Sequence, residues 1–319
     1  MLYNSYEKNG KVFYEYSFDG LYDLIEFIKA KEPIELWKSN GKYRSLDENF
    51  MIRGTKSMEE AIDLCINSNS KNIDDYVRLS GELEKDFPKL SNNRSFNYNY
   101  YGSRVNVPRA SKGNPKSMEQ LIRKKPLKLI TIWVNTAFAV STNKEAIQNR
   151  GIVISSLIHL LESSGYRVSL NLFSLSECKN EVIYIKTSIK RPGERLDLSS
   201  SYFPLCHPSF DKRLMLAVRE RTNVYNKYEW NATAGRSVDS ISDYLDVDEA
   251  NDIAVPQPKV IEVEGNDIYT DTVMFFEKLN ICDYIFPGKK LVVYEDESND
   301  KTLRFIDDEE KIEKGLNVK

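Results

Sequence analysis

The sequence predicts an α/β protein built on a mostly parallel sheet, and three observations carry that prediction. Leu127 to Leu175 reads as strand, crossover helix, strand: apolar Leu127 to Val134, an amphipathic run to Gly165, then Val168 to Phe173. One βαβ unit seeds a parallel sheet. Leu291 to Tyr294 and Leu303 to Ile306 flank a polar Glu295 to Lys301 loop, the pattern of a β-hairpin. The 319 residues are 29% charged and 41% hydrophobic, ordinary for a soluble globular protein of two domains or one large one.

Residues 1–88 read as mostly helical, with short extended pieces. Ser17 is placed to cap a helix from Phe18 to Lys29, with Leu21, Leu24, Ile25 and Ile28 at helical spacing and Pro33 ending it. Phe50 to Thr55 is a short apolar run that turns at Gly54. Ser57 and Glu60 then form a capping box for Met58 to Asn67, whose apolar face is Met58, Ala61, Ile62, Cys65 and Ile66. Ile73 to Phe87 gives a third helix with Tyr76, Leu79 and Leu83 on one side, stopped by Pro88.

Residues 89–126 change character. Pro108, Pro115, Pro126, Gly102 and Gly113 punctuate a run of Asn and aromatic residues from Phe96 to Tyr101. An irregular segment is expected, with at most a turn of helix at Ser117 to Ile122. Its tyrosines argue against simple disorder, because such rings cover a surface.

Residues 127–288 form the α/β core. Thr142 is a candidate cap for the crossover helix, whose stripe Ala146, Ile147, Gly151, Ile154, Leu157, Ile158 and Leu161 is widened by Ile152, Val153 and Leu160. Gly165 sits where a left-handed helix terminator belongs. Glu181 to Lys186 is a third strand. Pro208 starts a helix through about Arg221, with Phe210, Leu214, Leu216 and Val218 for the core. Asn251 to Val255 is a short strand and Tyr269 to Asn280 a late helix. Residues 289–319 hold the hairpin and a charged tail.

Charge is unevenly spread around a net of −3. Lys89 to Lys128 carries ten Lys/Arg against Glu119 alone, and Ser237 to Asp271 carries ten Asp/Glu against Lys259 alone. Segments of opposite sign neutralise one another within a fold or lie on solvated faces. Cys65, Cys178, Cys206 and Cys282 are dispersed, which excludes Cys-x-x-Cys zinc sites and fits a reducing cytoplasm. His159 lies inside the amphipathic run and reads as a plain helix residue. The N-terminus has no apolar core segment, and no apolar stretch reaches membrane-spanning length. A cytoplasmic protein without membrane contact is expected.

Four places invite chemistry. The turn after the first core strand, Asn135 to Thr142, stands where α/β sheets bind ligands, and Asn135, Thr136 and Ser141 are its candidate binding residues. It lacks glycine, so it forms no phosphate-cradling loop. In the basic segment, Arg94, Arg123, Lys124 and Lys125 with Tyr98, Tyr100 and Tyr101 have the composition of a single-stranded nucleic-acid binder. The alternative is a solvated loop whose tyrosines cover the core edge. Cys206-His207 is adjacent in sequence, which makes no catalytic dyad; a cap contact by His207 is expected. The acidic cluster Asp243, Asp246, Asp248, Glu249 and Asp252 lacks the glycine and final Glu of an EF-hand and reads as a solvated face.

The order strand, turn, long helix, strand resembles the start of a von Willebrand factor A-type domain, a Rossmann-like fold. That family's turn is Asp-x-Ser-x-Ser and holds a divalent cation. Here Asn135, Ala137 and Ala139 stand in those places, and alanine supplies no oxygen donor. The resemblance therefore implies a degenerate site without metal. A second resemblance rests on phrases: Phe50 to Ala61, Tyr101 to Arg109 with Gly113-Asn114-Pro115 and Met118, Gly165 to Val168, and His207 to Phe210 with Lys212 and Arg213. Their order from about Phe50 to Arg221 is similar to a family of uncharacterised bacteriophage and prophage proteins. It implies a phage setting and a vWA-like core.

Arg104, Arg109, His207 and Arg213 lie in those phrases, and together they are expected to form a cationic anion-binding pocket near the strand ends. Replacing Arg109 and Arg213 by Ala is then expected to abolish binding with little loss of stability. The expected function is a non-enzymatic binding or assembly protein without cofactor. Phage or host proteins are the expected partners, and nucleic acid a second class. The alternative is an enzyme acting on a phosphate-bearing substrate. Against it stands the lack of a recognisable nucleophile and base.

Overall fold

The computed structural model describes residues 1–33, 44–46, 54–67, 73–87, 94–123, 128–138, 142–222, 244, 248, 251–256, 267–296 and 298–307. The expected run from Phe50 to Arg53 lies outside them, as do Ser141, Lys124, Lys125, Asp243, Asp246 and Glu249.

The chain begins with a hairpin where mainly helix was expected. Strand β1 (Leu2–Lys8) turns through Asn9 and Gly10, with φ of 53° and 71°, into β2 (Lys11–Phe18). Asn-Gly tolerates positive φ at both positions, which matches the twist of paired strands. Helix α1 (Leu21–Ala30) starts after extended Gly20 rather than at Ser17, which lies in β2 and donates its hydroxyl to Glu15. Helices α2 (Met58–Asn67) and α3 (Ile73–Asp86) follow the predicted periods, and the Ser57 hydroxyl accepts from the Glu60 N–H at 3.1 Å.

The segment expected to be irregular folds as a small antiparallel sheet. Its strands are β3 (Arg94–Asn99), β4 (Arg104–Val105) and β5 (Met118–Arg123), in the order β3-β5-β4, with a short helix α4 (Val107–Ser111) between β4 and β5. The Asn and aromatic residues of Phe96 to Asn99 alternate with the period of a strand. β5 takes the place of the expected helical turn.

The core unit is β6 (Leu129–Asn135), α5 (Lys144–Ser163) and β7 (Arg167–Cys178). Asn143, not Thr142, caps α5, and Gly165 has φ 93° after it. β8 (Glu181–Lys190), α6 (Leu198–Cys206), a π-helical turn (Phe210–Met215) and α7 (Leu216–Glu220) come next. They lead to β9 (Asp252–Val255), α8 (Ile268–Lys278), α9 (Ile281–Ile285) and the hairpin β10 (Lys289–Glu295) and β11 (Lys301–Asp307).

Among the described residues six strands make the central sheet, in the order β1-β2-β8-β7-β6-β9. The pairs β2–β8, β7–β6 and β6–β9 are parallel; β1–β2 and β8–β7 are antiparallel. One face carries the main core, including Ile130, Ile132, Leu170, Leu172 and Ile185 beneath Ile154, Leu157, Leu161, Tyr202 and Phe276. Phe13, Phe173, Leu175, Val182, Tyr184 and Tyr244 cluster on the other. Helix α5 is buried nearly all round. Its Ser155 and Ser156 hydroxyls lie against Gly151 and Ile152 carbonyls and meet Tyr76 and Ser80 of α3, so polar atoms enter the core paired. The C-terminal hairpin shares this core: Leu291 and Leu303 are buried, and Phe305 packs on Phe87 and Phe276. Among the described residues no helix is long and apolar enough to cross a membrane.

Candidate functional site

At the carboxyl end of β6 the chain gathers polar groups in its interior. Asn135 ends the strand opposite Phe173, so Thr136 and Ser174 emerge just beyond that pair. The Thr136 hydroxyl sits 3.1 Å from the Phe173 carbonyl and 3.4 Å from Asp211 Oδ1. Ser174 Oγ lies 3.3 Å from the same carboxylate oxygen, and Arg219 Nη2 donates to both Ser174 and Asp211. Lys212 Nζ is 3.5 Å from Asp211 Oδ2, donates to the Phe138 carbonyl at 3.0 Å, and sits over the Phe138 ring. Arg150 Nη1 bridges the Asn135 and Pro256 carbonyls at 2.9 and 3.0 Å, tying the ends of β6 and β9 together. Burial pulls the Arg150 guanidinium down to about 10. Asn135, Thr136, Ser174, Asp211 and Arg219 are all buried.

The Asn135 side chain turns back on its own loop, where Oδ1 accepts from the Ala137 N–H at 2.9 Å. Ala137 is buried beside it. The position that would offer oxygen donors to a cation is thus ringed by the protein's own cations, Arg150, Lys212 and Arg219. Among the described residues no three His, Cys, Asp or Glu side chains converge as a metal site.

Asp211, Lys212 and Arg213 are all buried within the π-helical turn. Successive side chains fan out in different directions, each into a different neighbour. Asp211 meets the strand ends, Lys212 meets Phe138, and Arg213 reaches the N-terminal region. Arg213 donates from Nε to Thr55 Oγ1 at 2.8 Å, from Nη2 to the Thr55 carbonyl at 2.8 Å, and from Nη1 to the Ser45 carbonyl at 3.0 Å. Thr55 in turn donates to Ser209 from N–H and hydroxyl, and Ser45 donates to Glu220.

The small sheet presents the opposite character. Tyr98 and Arg104 both face Glu119 in register, one from each side of β5, so the three form a row. Arg109 lies 4.0 Å above the Tyr98 ring, and Lys116 lies 5.6 Å from the Tyr100 ring. Asn106 caps α4 by accepting from the Arg109 N–H and donates to Glu119 Oε1 at 2.7 Å. Gly102 passes so near β5 that a Cβ there would stand 2.4 Å from the Glu119 carbonyl oxygen. Outside this frame Tyr101 is 83% exposed and Tyr100 56%. The Arg104 side chain is 79% exposed.

Residues 6–283 match the family described as a domain of unknown function (DUF7192). The chain belongs to that family. No curated protein and no solved structure matches the chain. The DUF7192 span takes in both the strand-end cluster and the small sheet, and it ends before the β10–β11 hairpin.

Within the DUF7192 span, the residues singled out from sequence sort into separate places. Asn135 and Thr136 join Asp211, Lys212 and Arg219. Arg109 is occupied by Tyr98, and Arg213 by Thr55 and Ser45, so these two arginines serve different neighbours. Arg94 and Arg123 face each other in register at the end of the β3–β5 ladder. Ser174, Asp211, Arg150 and Arg219 were not anticipated. A signal for two of them was present: Asp211 and Arg219 bracket Leu214 to Val218, a run apolar on every side, which leaves no polar face for either charge.

His207 makes the expected cap contact, its Nδ1 accepting from the Ser209 N–H at 3.2 Å. Its ring stacks on Phe203 with centroids 4.8 Å apart, and a Cβ on Gly54 would stand 2.5 Å from Cε1. Burial, helped by the Lys144 charge and opposed by Glu60, pushes the imidazole down to about 4. The unfolded chain binds this proton near 6.5, so between the two values it holds more protons than the folded chain. The contribution of the neutral ring is complete above 6.5 and is lost as pH falls toward 4, on the order of 3 kcal/mol in all. Denaturant midpoints between pH 7 and 4 are expected to fall less steeply for His207→Gln than for the wild type. Parallel slopes would show that His207 does not set this dependence.

Proposed function

We propose that this chain is a non-catalytic binding and assembly protein, in which a Rossmann-like, vWA-like scaffold presents the β3–β5 sheet to a partner. The order β8-β7-β6-β9 supports the scaffold reading, since it follows the 3-2-1-4 order of doubly wound sheets with β6 as the first strand. The antiparallel β8 and the added β1–β2 hairpin are departures from it. The resemblance of those sequence phrases to bacteriophage and prophage proteins supports a phage or prophage setting, with phage or host proteins as partners.

One observation carries the reading: the two polar regions differ in exposure. Charged groups at the strand ends are buried against one another, with Asp211 and Arg219 side chains each 1% exposed. Tyr100, Tyr101 and Arg104 stand in solvent on a rigid frame. An exposed, braced set of rings and cations is a contact surface; an enclosed ion cluster is a structural one.

Affinity capture from the natural host tests this. The double variant Tyr101→Ala/Arg104→Ala is expected to melt like the wild type, because both side chains are outside the core, and to lose the captured partner. Equal recovery with the two proteins would reject the small sheet as the contact surface.

A further inference from the structure

We infer that the ligand of the β3–β5 sheet is a single-stranded nucleic acid. This rests on the reading of that sheet as a contact surface and names its partner. Between Arg94 and Gln120 five basic residues (Arg94, Arg104, Arg109, Lys112 and Lys116) face one acid, Glu119. That acid is committed internally: its side chain is 13% exposed and holds Asn106 at 2.7 Å. Its other oxygen lies 3.9 Å from Arg104 Nε, a long contact to a side chain that is 79% exposed, and the stretch holds no further carboxylate to compete with phosphate for the exposed cations Lys112 and Lys116.

The aromatic residues decide between ligand classes. An acidic protein surface would satisfy the cations but would leave Tyr100 and Tyr101 without a use. Their rings offer stacking faces beside positive charge, which suits bases joined by phosphates. A duplex keeps its base faces stacked inside, so an intact double helix offers these rings nothing; unpaired bases do. Tyr98 is excluded from this role, because Arg109 covers its ring at 4.0 Å; Lys116 stands farther off one face of Tyr100, at 5.6 Å, which makes Tyr101 the more open of the two remaining rings. The Arg109–Tyr98 stack, the α4 cap and the Gly102 approach instead hold the frame rigid, so the exposed groups are ordered before a strand arrives.

The test uses the full chain with a fluorescein-labelled oligothymidylate of about twenty nucleotides and a duplex of the same length, read by anisotropy at low salt. The wild type is expected to prefer the single strand. Tyr101→Ala should weaken binding about tenfold, the order of one lost base stack. Arg104→Ala/Lys112→Ala/Lys116→Ala should weaken it further and reduce the slope of log K against log salt by about 2, as three lost phosphate contacts require. Unchanged melting temperatures keep folding out of the comparison. Absence of oligonucleotide binding, equal affinity for duplex, or undiminished binding by the triple variant would each overturn the inference. If a protein partner is captured through the small sheet while the oligonucleotide does not bind, only the nucleic-acid assignment falls. If neither binds through it, the contact-surface reading falls as well.

Discussion

Replacing Arg213 by methionine is expected to lower the unfolding free energy by about 3–5 kcal/mol, the cost of leaving several buried acceptors without their charged donor. Methionine keeps much of the volume, so the loss comes from polar groups rather than a void. The carbonyls of Ser45 and Thr55 and the Thr55 hydroxyl would each lose a buried donor. Lysine at this position keeps the charge but not the fork that reaches three acceptors, and should fall between. The denaturant midpoint should drop with the slope unchanged, the mark of altered stability in an unaltered fold. A methionine variant within about 1 kcal/mol of the wild type would show that the network contributes little. The expectation that Arg213 could be truncated at little cost to stability is corrected by its burial. A guanidinium with no exposed surface, bonded to three atoms of the N-terminal region, holds that region to the core.

Gly151→Ala should also destabilise, by about 1–3 kcal/mol or more, although alanine is the better helix former. Here α5 and α6 are in such close contact that the new Cβ would lie 2.2 Å from Cys206 Sγ and 3.0 Å from the Leu205 carbonyl oxygen. The steric term exceeds the propensity gain of about 1 kcal/mol and reverses its sign. Gly81→Ala on α3 is the control: nothing lies within 4 Å of that Cβ, so it should stabilise by about 0.5–1 kcal/mol. Adding Cys206→Ala to Gly151→Ala should restore part of the loss, since the Leu205 backbone still crowds the site. A Gly151→Ala variant as stable as the Gly81→Ala variant would mean that the two helices separate freely.

How much of this was legible follows from the strength of each local pattern. The β6-α5-β7 unit could be read because a long apolar stripe leaves few alternatives, and α2 because Ser57 and Glu60 mark its start. The hairpins differ instructively. β10 has a continuous apolar run and β11 one interrupted by Arg304 alone, whereas β1 has five exposed residues of seven and Leu2 stands in solvent, so alternation gave little contrast. Its turn, Asn9-Gly10, was the signal that mattered. Residues 94–123 were obscured by proline and glycine, which mark turns between very short strands there rather than an absence of strands. In the candidate site, Asn135 and Thr136 were reachable through their place after a strand. Asp211 and Arg219 were harder to read, because consecutive charges ordinarily signify solvent and only the apolar run between them pointed to burial.

The parallel pairing of β2 with β8 has a consequence for the order in which this protein comes into being. Val12 is matched to Glu181 and Phe18 to Thr187, so β2 takes its place beside a strand made much later along the chain. A two-stranded hairpin on its own is marginal in water, and closing so large a loop precedes any return from the contact. Until residues 181–187 have been added, the edge of β2 that pairs with β8 lacks its partner strand.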